Sequence, residues 1–406
     1  MADDYTTNTL SGWILESTTF FYQSNPRIAF IMSMGIAFLY YYLTSVAKKP
    51  EFYCKPGKFR QVLETMVPIL NEKFYPTPWC FGTHSQTALS NFIRGLLPNI
   101  KYQRDLLETP DGGVLALDWL PSDLPQDAPI AFFMAGLTGH SQTEYIKSII
   151  PSAAKHGCRV AVLNNRGRGG VDLKTPRTYC AVSHDDMDLA LTHIKNRYPN
   201  SMIVACGISL GGVILGQYLC RSRENALCDA AILVSSVFNI SEAVYSMELP
   251  GLNRLLNRHL AHTLWLTVEP HKDKFKEFQE KCDLEEVKKS TTIKEFDERF
   301  TSKMFGFQSV DHYYDEAKLI NKIHNIKVPT LCFCAADDMF QPHNALPLQI
   351  PEENENLAFL VTARGGHIGF MEGVLPFPPF FSERLYEQYL LAMIHSIRDG
   401  VFKKIL

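Results

Sequence analysis

Ser201-Met202-Ile203-Val204-Ala205-Cys206-Gly207-Ile208-Ser209-Leu210-Gly211-Gly212 decides the fold of this chain. An apolar, strand-like run feeds straight into Gly-x-Ser-x-Gly, and a helix-like run from Val213 to Leu219 follows at once. That setting describes a turn between strand and helix so tight that the flanking positions must be nearly free of side chain. A serine at its apex is held with its hydroxyl exposed above the carboxyl end of the strand, where it can attack a carbonyl. The bare five-residue pattern is weak. The strand before it and the helix after it single out Ser209 as a nucleophile rather than one residue of an ordinary Gly-rich turn.

A serine nucleophile needs a base and an orienting acid, and after such an elbow they follow in the order Ser, Asp or Glu, His. Val328-Pro329-Thr330-Leu331-Cys332-Phe333-Cys334 reads as a buried strand and ends in Ala335-Ala336-Asp337-Asp338. A second strand, Leu357-Ala358-Phe359-Leu360-Val361-Thr362, ends in Ala363-Arg364-Gly365-Gly366-His367. Acids and histidines just past strand ends sit on the loops where α/β folds gather their sites. His367 is therefore the candidate general base, with an acid fixing its tautomer and stabilising the imidazolium. Neighbouring side chains at a strand end diverge, so only one of the two aspartates can face His367. Asp338 is preferred, and Asp337 is the alternative.

The oxyanion formed in acyl transfer needs backbone donors: the N–H after the nucleophile, Leu210, and one from the loop after an earlier strand. Pro129-Ile130-Ala131-Phe132-Phe133-Met134 reads as that strand and Ala135-Gly136-Leu137-Thr138-Gly139 as that loop, with Leu137 N–H as the second donor.

The chain resembles the AB hydrolase superfamily, and within it the AB hydrolase 4 family of membrane lipases and esterases. The resemblance rests on Gly136-Leu137-Thr138-Gly139, Asn164-Asn165-Arg166-Gly167, Thr175-Pro176-Arg177-Thr178-Tyr179-Cys180, Gly207-Ile208-Ser209-Leu210-Gly211-Gly212, Ala335-Ala336-Asp337-Asp338 and Gly365-Gly366-His367-Ile368-Gly369-Phe370, in that order. It implies Ser209, Asp338 and His367 as the catalytic triad and a phospholipid as substrate. Two departures stand out. Ala135 occupies a position that is often Pro or His in the family, and no His is followed five positions later by Asp, a pattern tied to acyltransferase activity in some relatives.

At 406 residues the chain can hold one large α/β domain with additions. A net charge of −3 with 20% charged residues gives no sign of nucleic-acid binding. The ten cysteines lack metal-ligand spacing, and their usage favours a reducing compartment for the catalytic domain. Cys332 and Cys334 read as core.

Residues Ile28 to Ala47 are uncharged and largely apolar, closed by Lys48-Lys49-Pro50. As a helix this stretch reaches roughly 30 Å, the thickness of a bilayer's hydrocarbon core. Tyr40-Tyr41-Tyr42 suits an interfacial aromatic position. A cleaved signal peptide wants a basic start, whereas this chain opens on Asp3, Asp4 and a long polar lead. Basic residues follow the span (Lys48, Lys49, Lys55, Lys58, Arg60) and only Arg27 closely precedes it, which predicts a cytoplasmic catalytic domain. The family resemblance carries the opposite topology, so orientation stays open.

The expected organisation is an N-terminal tail (1–27), a transmembrane helix (28–47), a connecting region (48–99) and an α/β-hydrolase catalytic domain (100–406). That domain is a mostly parallel sheet with helices on both faces. Tyr102 to Trp119 reads as a β-hairpin, and Trp79, Phe81 and Phe92 suggest packed structure in the connecting region. The strand–helix rhythm breaks at about 241–325, a helical insertion where this fold places its lid. Its apolar residues Leu249, Leu252, Leu255, Leu256, Leu264 and Trp265 are expected to line an acyl pocket or meet the bilayer, and its charged run from His271 to Arg299 to face water. Arg166-Gly167-Arg168-Gly169-Gly170 lacks the Gly-Lys-Ser/Thr ending of a P-loop and reads as a structural turn, with a phosphate contact as the alternative.

These readings converge on a single-pass membrane serine hydrolase of an endomembrane, such as the endoplasmic reticulum. The expected substrates are acyl esters of glycerophospholipids, phosphatidylcholine among them. No metal or organic cofactor is needed, and no protein partner is evident. A monoacylglycerol lipase or short-chain esterase is the alternative enzyme, and a non-catalytic binding protein on the same fold is the alternative from another class.

Overall fold

The computed structural model of the chain describes residues 24–278 and 281–402, so the tail expected at 1–27 lies outside the described residues as far as residue 23. The chain divides into two compact units, residues 1–48 and 49–406. The first contains α1 (Pro26–Tyr41), which continues as π-helix over Tyr42–Val46. Together they form 21 residues long and apolar enough to cross a membrane.

In the second unit, nine strands among the described residues form one sheet in the order β1-β9-β8-β7-β6-β4-β5-β3-β2. They are β1 (Glu51–Cys54), β2 (Gln103–Glu108), β3 (Val114–Trp119), β4 (Ile130–Met134), β5 (Arg159–Asn164), β6 (Ile203–Ile208), β7 (Ala230–Val234), β8 (Thr330–Ala335) and β9 (Leu357–Thr362). The run from β9 to β5 is parallel, and β1, β2 and β3 pair antiparallel at the edges. Successive residues of a strand face opposite sides. Phe133 thus joins Val162, Phe333 and Tyr386 in one core layer, and Phe132 joins Leu215, Leu233 and Phe359 in the other. Helices α4 (Glu144–Ala154) and α10 (Phe381–Arg398) cover the first face; α5 (Asp185–Arg197) and α6 (Leu210–Ser222) cover the second. Apolar residues on both faces explain the continuous hydrophobic runs of the inner strands.

The region 49–99 is part of this unit rather than a connector. Its strand β1 pairs with β9, Cys54 opposite Ala358. Helices α2 (Lys58–Met66) and α3 (Thr83–Gly95) follow. The region is packed as expected, though not through Trp79 and Phe92, which are 59% and 66% exposed; Phe59, Leu63, Leu70 and Phe74 enter the core.

The insertion between β7 and β8 holds α7 (Ile240–Glu248), α8 (Leu252–Val268), several short helical segments and α9 (Val310–Ala317). It has its own small core of Trp265, Val268, Phe275, Phe296 and Phe300. The charged run is therefore two-sided: Lys272, Asp273, Lys274 and Lys276 face water while Phe275 is buried.

Candidate active site

Two pairings of parallel strands set the geography of the site. Because β4 and β6 are neighbours, with Met134 opposite Gly207, the loop after β4 lies beside the turn after β6. Because β8 and β9 are neighbours, with Ala335 opposite Thr362, the loops bearing the aspartates and the histidine emerge together. All four are at the carboxyl ends of the strands, where open α/β sheets build their sites.

Ser209 sits at the apex of the elbow with φ 54° and ψ −122°, a sparsely populated conformation for a residue with a side chain. The surrounding close packing holds it there. A Cβ on Gly207 would come within 2.6 Å of the Gly211 carbonyl oxygen, so the turn closes only with glycine. Ser209 N–H donates to the Val234 carbonyl at 2.9 Å, which ties the elbow to β7.

The Ser209 hydroxyl lies 2.9 Å from Nε2 of His367. On the far side of the ring, Nδ1 lies 2.8 Å from Oδ2 and 3.1 Å from Oδ1 of Asp338. A buried carboxylate there accepts from Nδ1–H and leaves Nε2 as the acceptor toward the serine. Asp337 faces elsewhere: its Oδ1 accepts the Gly366 N–H at 2.9 Å, and burial pushes its carboxyl up to about 6.

The loop over residues 136–139 is pinned by residues from other elements. Gly136 N–H donates to the Tyr145 hydroxyl at 2.9 Å, Thr138 N–H to the Tyr179 hydroxyl at 2.9 Å, and Gly139 N–H to the Gly136 carbonyl at 2.9 Å. Burial pushes both phenols above their ordinary range, so they act as neutral acceptors. Arg168 donates to the Thr138 carbonyl. Leu137 N–H is left without an acceptor among the described residues and is free for an oxyanion. Gly136 approaches Ser209 so closely that a Cβ there would be 2.9 Å from Ser209 Cβ. Leu210, the first residue of α6, presents an N–H that has no partner within the helix.

Helix α3 supports the histidine turn from a region to which sequence reading gave no role. Thr87 Oγ1 accepts the His367 N–H at 2.9 Å, and Arg94 donates to the Ile368 carbonyl at 2.6 Å. Arg94 is itself buried against Glu383 at 2.8 Å. Of the supporting residues, Tyr179 and Arg168 had a visible signal, in Thr175-Pro176-Arg177-Thr178-Tyr179-Cys180 and Arg166-Gly167-Arg168-Gly169-Gly170.

Ser209 and His367 open into a cavity of about 490 Å³ between the sheet and the insertion. Val244, Met247, Leu256, Leu260, Leu264 and Phe300 supply apolar lining. Of the residues expected to line a pocket or meet a bilayer, Leu256 and Leu264 line the cavity, and Leu249, Leu252 and Leu255 are exposed. Trp265 does neither, being buried in the insertion's own core. Helical periodicity marks which residues are apolar, not which of two apolar faces meets the cavity. Among the described residues no cluster of His, Cys, Asp or Glu could hold a metal ion.

The family profile described as Serine aminopeptidase, S33 (Hydrolase_4) matches residues 127–348. Human Phospholipase ABHD3 is 36% identical over 380 residues, covering 92% of each chain. Protein abhd-3.2 of Caenorhabditis elegans is 33% identical over 375 residues, 91% of this chain and 99% of the relative. Human Monoacylglycerol lipase ABHD2 is 28% identical over 378 residues, 88% of each.

The chain belongs to the AB hydrolase superfamily. This AB hydrolase is an enzyme of the hydrolase class, with a mostly parallel sheet and the lid-type insertion of that fold. The remaining family motif is structural. Asn164 Oδ1 accepts the Ser141 N–H at 2.8 Å and Asn164 Nδ2 donates to Asp118 at 2.9 Å. Arg166 is buried between Asp186 (2.7 Å) and Asp111 (2.6 Å).

Proposed function

We propose that this hydrolase is a membrane-anchored serine lipase that cleaves acyl esters of glycerophospholipids, with Ser209, His367 and Asp338 as its triad. The observation that carries this reading is the unbroken hydrogen-bonded line from Asp338 through His367 to Ser209 at the floor of an apolar cavity. In this mechanism Ser209 Oγ attacks the ester carbonyl carbon as His367 Nε2 takes its proton. The amides of Leu137 and Leu210 hold the oxyanion. His367 then protonates the departing alkoxide, and a water, activated by the same nitrogen, cleaves the acyl-enzyme to free fatty acid.

The name of the human relative ABHD3, a phospholipase, supports a phospholipid substrate. The helix over Pro26–Val46 supports anchoring in the membrane that carries the substrate, in the endoplasmic reticulum or a related endomembrane. The name of the relative ABHD2 supports a second reading, hydrolysis of monoacylglycerols.

The test has three arms. A fluorophosphonate probe is expected to label the wild type and not Ser209→Ala; equal labelling would remove Ser209 from the mechanism. The full chain reconstituted in vesicles is expected to release fatty acid and lysophosphatidylcholine from phosphatidylcholine. Turnover of monoacylglycerol or acetyl esters alone would replace the phospholipid reading with the second one or with a general esterase. Alkaline carbonate is expected to leave the protein in the membrane pellet, and its recovery in the supernatant would remove the anchor.

A further inference from the structure

A second cavity, of about 290 Å³, lies between residues 140–142, which follow the pinned loop, and the Gly-rich run 167–170. Arg104, His140, Arg168 and Gly169 are among the residues that line it, and His140 lines the catalytic cavity as well. The two spaces therefore share a wall only a few residues beyond Leu137.

The cations around this second cavity differ in how their charges are balanced. Arg104 grips the buried carboxylate of Asp118 with two bonds, at 2.6 and 2.7 Å, and donates to the Gly169 carbonyl at 2.7 Å. Arg166, in the same Gly-rich run, is spent on Asp186 and Asp111. Arg168 has no carboxylate partner among the described residues. Its one protein acceptor is the neutral Thr138 carbonyl, and its Nε is buried with no acceptor. A guanidinium left with spare donors at a cavity wall is arranged for an anion, since its planar fork matches carboxylate and phosphate.

His140 adds a directed donor. Its Nδ1 accepts the Gln142 N–H at 3.1 Å, so the proton of the neutral ring is on Nε2. Burial, seconded by the nearby charge of Arg168, moves this ring below the ordinary histidine range and keeps it neutral, while Glu144 and Asp118 act in the opposite direction.

We propose that Arg168, with the Nε2–H of His140, forms a subsite for the phosphate of the substrate's head group, beside the catalytic cavity with which it shares His140. The inference rests on the phospholipid reading above and deepens it. In a glycerophospholipid a handful of covalent bonds separates the scissile carbonyl from the phosphorus. The subsite requires one molecule to present its carbonyl to Leu137 and its phosphate to Arg168. The same contact connects recognition to catalysis, because the Arg168 side chain that meets the phosphate also holds the Thr138 carbonyl of the oxyanion loop. Arg168 is thus both a specificity residue and a positioning residue.

The experiment compares phosphatidylcholine with the diacylglycerol of the same acyl chains, both presented to the full chain in one uncharged detergent micelle. The readout is the ratio of kcat/KM for the two substrates. Arg168→Gln is expected to slow both, through the loop, but to lower the ratio by about tenfold or more, the size of a lost charge-assisted hydrogen bond. Arg168→Lys is expected to restore part of the ratio, and His140→Ala to lower it by a smaller factor. An equal fall on both substrates would make Arg168 a loop-positioning residue only and overturn the subsite. With diacylglycerol as substrate, glycerophosphocholine is expected to inhibit the wild type competitively and to lose that effect in Arg168→Gln. Inhibition by inorganic phosphate without inhibition by glycerophosphocholine would reassign the site to free phosphate and overturn the head-group assignment. A wild type that cleaves diacylglycerol and never phosphatidylcholine, yet is inhibited by glycerophosphocholine through Arg168, would sink the phospholipid reading and leave the anion site standing.

Discussion

Asp337 and Asp338 are consecutive in the chain and grip the same turn in different ways: Asp338 reaches the His367 ring at 2.8 Å, and Asp337 accepts the backbone N–H of Gly366 at 2.9 Å. Their side chains diverge in the turn just past the end of β8, where the Asp338 N–H donates to the Ala335 carbonyl at 3.2 Å. Asp338 is further fixed by the Phe340 N–H, which donates to its Oδ1 at 2.8 Å. One aspartate orients the ring and the other shapes the loop that carries it.

Asp338→Asn is therefore expected to lower kcat by about 10³–10⁴, because an amide can hold the ring in the wrong tautomer. Asp337→Asn keeps an oxygen for Gly366 and is expected to lose less than about tenfold. Steady-state kinetics on a short soluble ester distinguishes them, and a reversal of the two losses would reverse the assignment.

A pH effect follows from Asp337. Burial raises its carboxyl to about 6 in the fold, against 3.8 for the free group. Below about 4 both folded and unfolded chains hold the proton, and above about 6 both have lost it. Between those values the folded chain binds the proton more tightly, so stability falls as pH rises through the window. The effect is at most roughly 3 kcal/mol. Relative to wild type, Asp337→Asn is expected to gain thermal stability between pH 4 and pH 7, as measured by unfolding in detergent; parallel curves would refute the account.

Tyr179→Phe deletes the acceptor of the Thr138 N–H at the heart of the oxyanion loop. An unsatisfied buried N–H costs about 1–3 kcal/mol, and the loop relaxes to avoid it. The expected result is a kcat lower by about tenfold with KM little changed. A change in KM alone would mean that the tyrosine contacts substrate instead.

Acyl-chain selection is expected to reside in the lid residues that reach the cavity. Each buried CH₂ contributes about 0.8 kcal/mol, so activity rises with chain length until the cavity of about 490 Å³ is filled. Leu260→Trp, which fills part of that space, is expected to move the optimum to shorter chains. The exposed Leu255 is expected to leave the optimum where it is when changed to Ala. A chain-length series on the three proteins checks both statements.

The serine elbow, the positions of the aspartates and the histidine at strand ends, and the alternation of strands were legible in the sequence because each is a local signal. A glycine-flanked serine after an apolar run, or an Asp-Asp after a buried strand, is written in a few adjacent residues. Strand β1 was not legible, since four residues carry too little pattern. That 49–99 is packed was legible, but Trp79 and Phe92 were the wrong residues to read it from, because apolar character does not say which side chains find a neighbour.

By itself, then, the sequence determined the α/β-hydrolase fold, the order of the site's loops along it and an apolar helix close to residues 28–47, which the structure sets at Pro26–Val46. Only the tertiary structure decided which of Asp337 and Asp338 meets the ring. It also left Leu137 as the free amide of its loop, spent the charge of Arg166 on Asp186 and Asp111, and left that of Arg168 unbalanced. Those outcomes depend on contacts between distant segments, such as His367 with Thr87 at a separation of 280 residues. Local propensity carries no information about such a meeting. It exists only once the sheet has set β4 beside β6 and β8 beside β9.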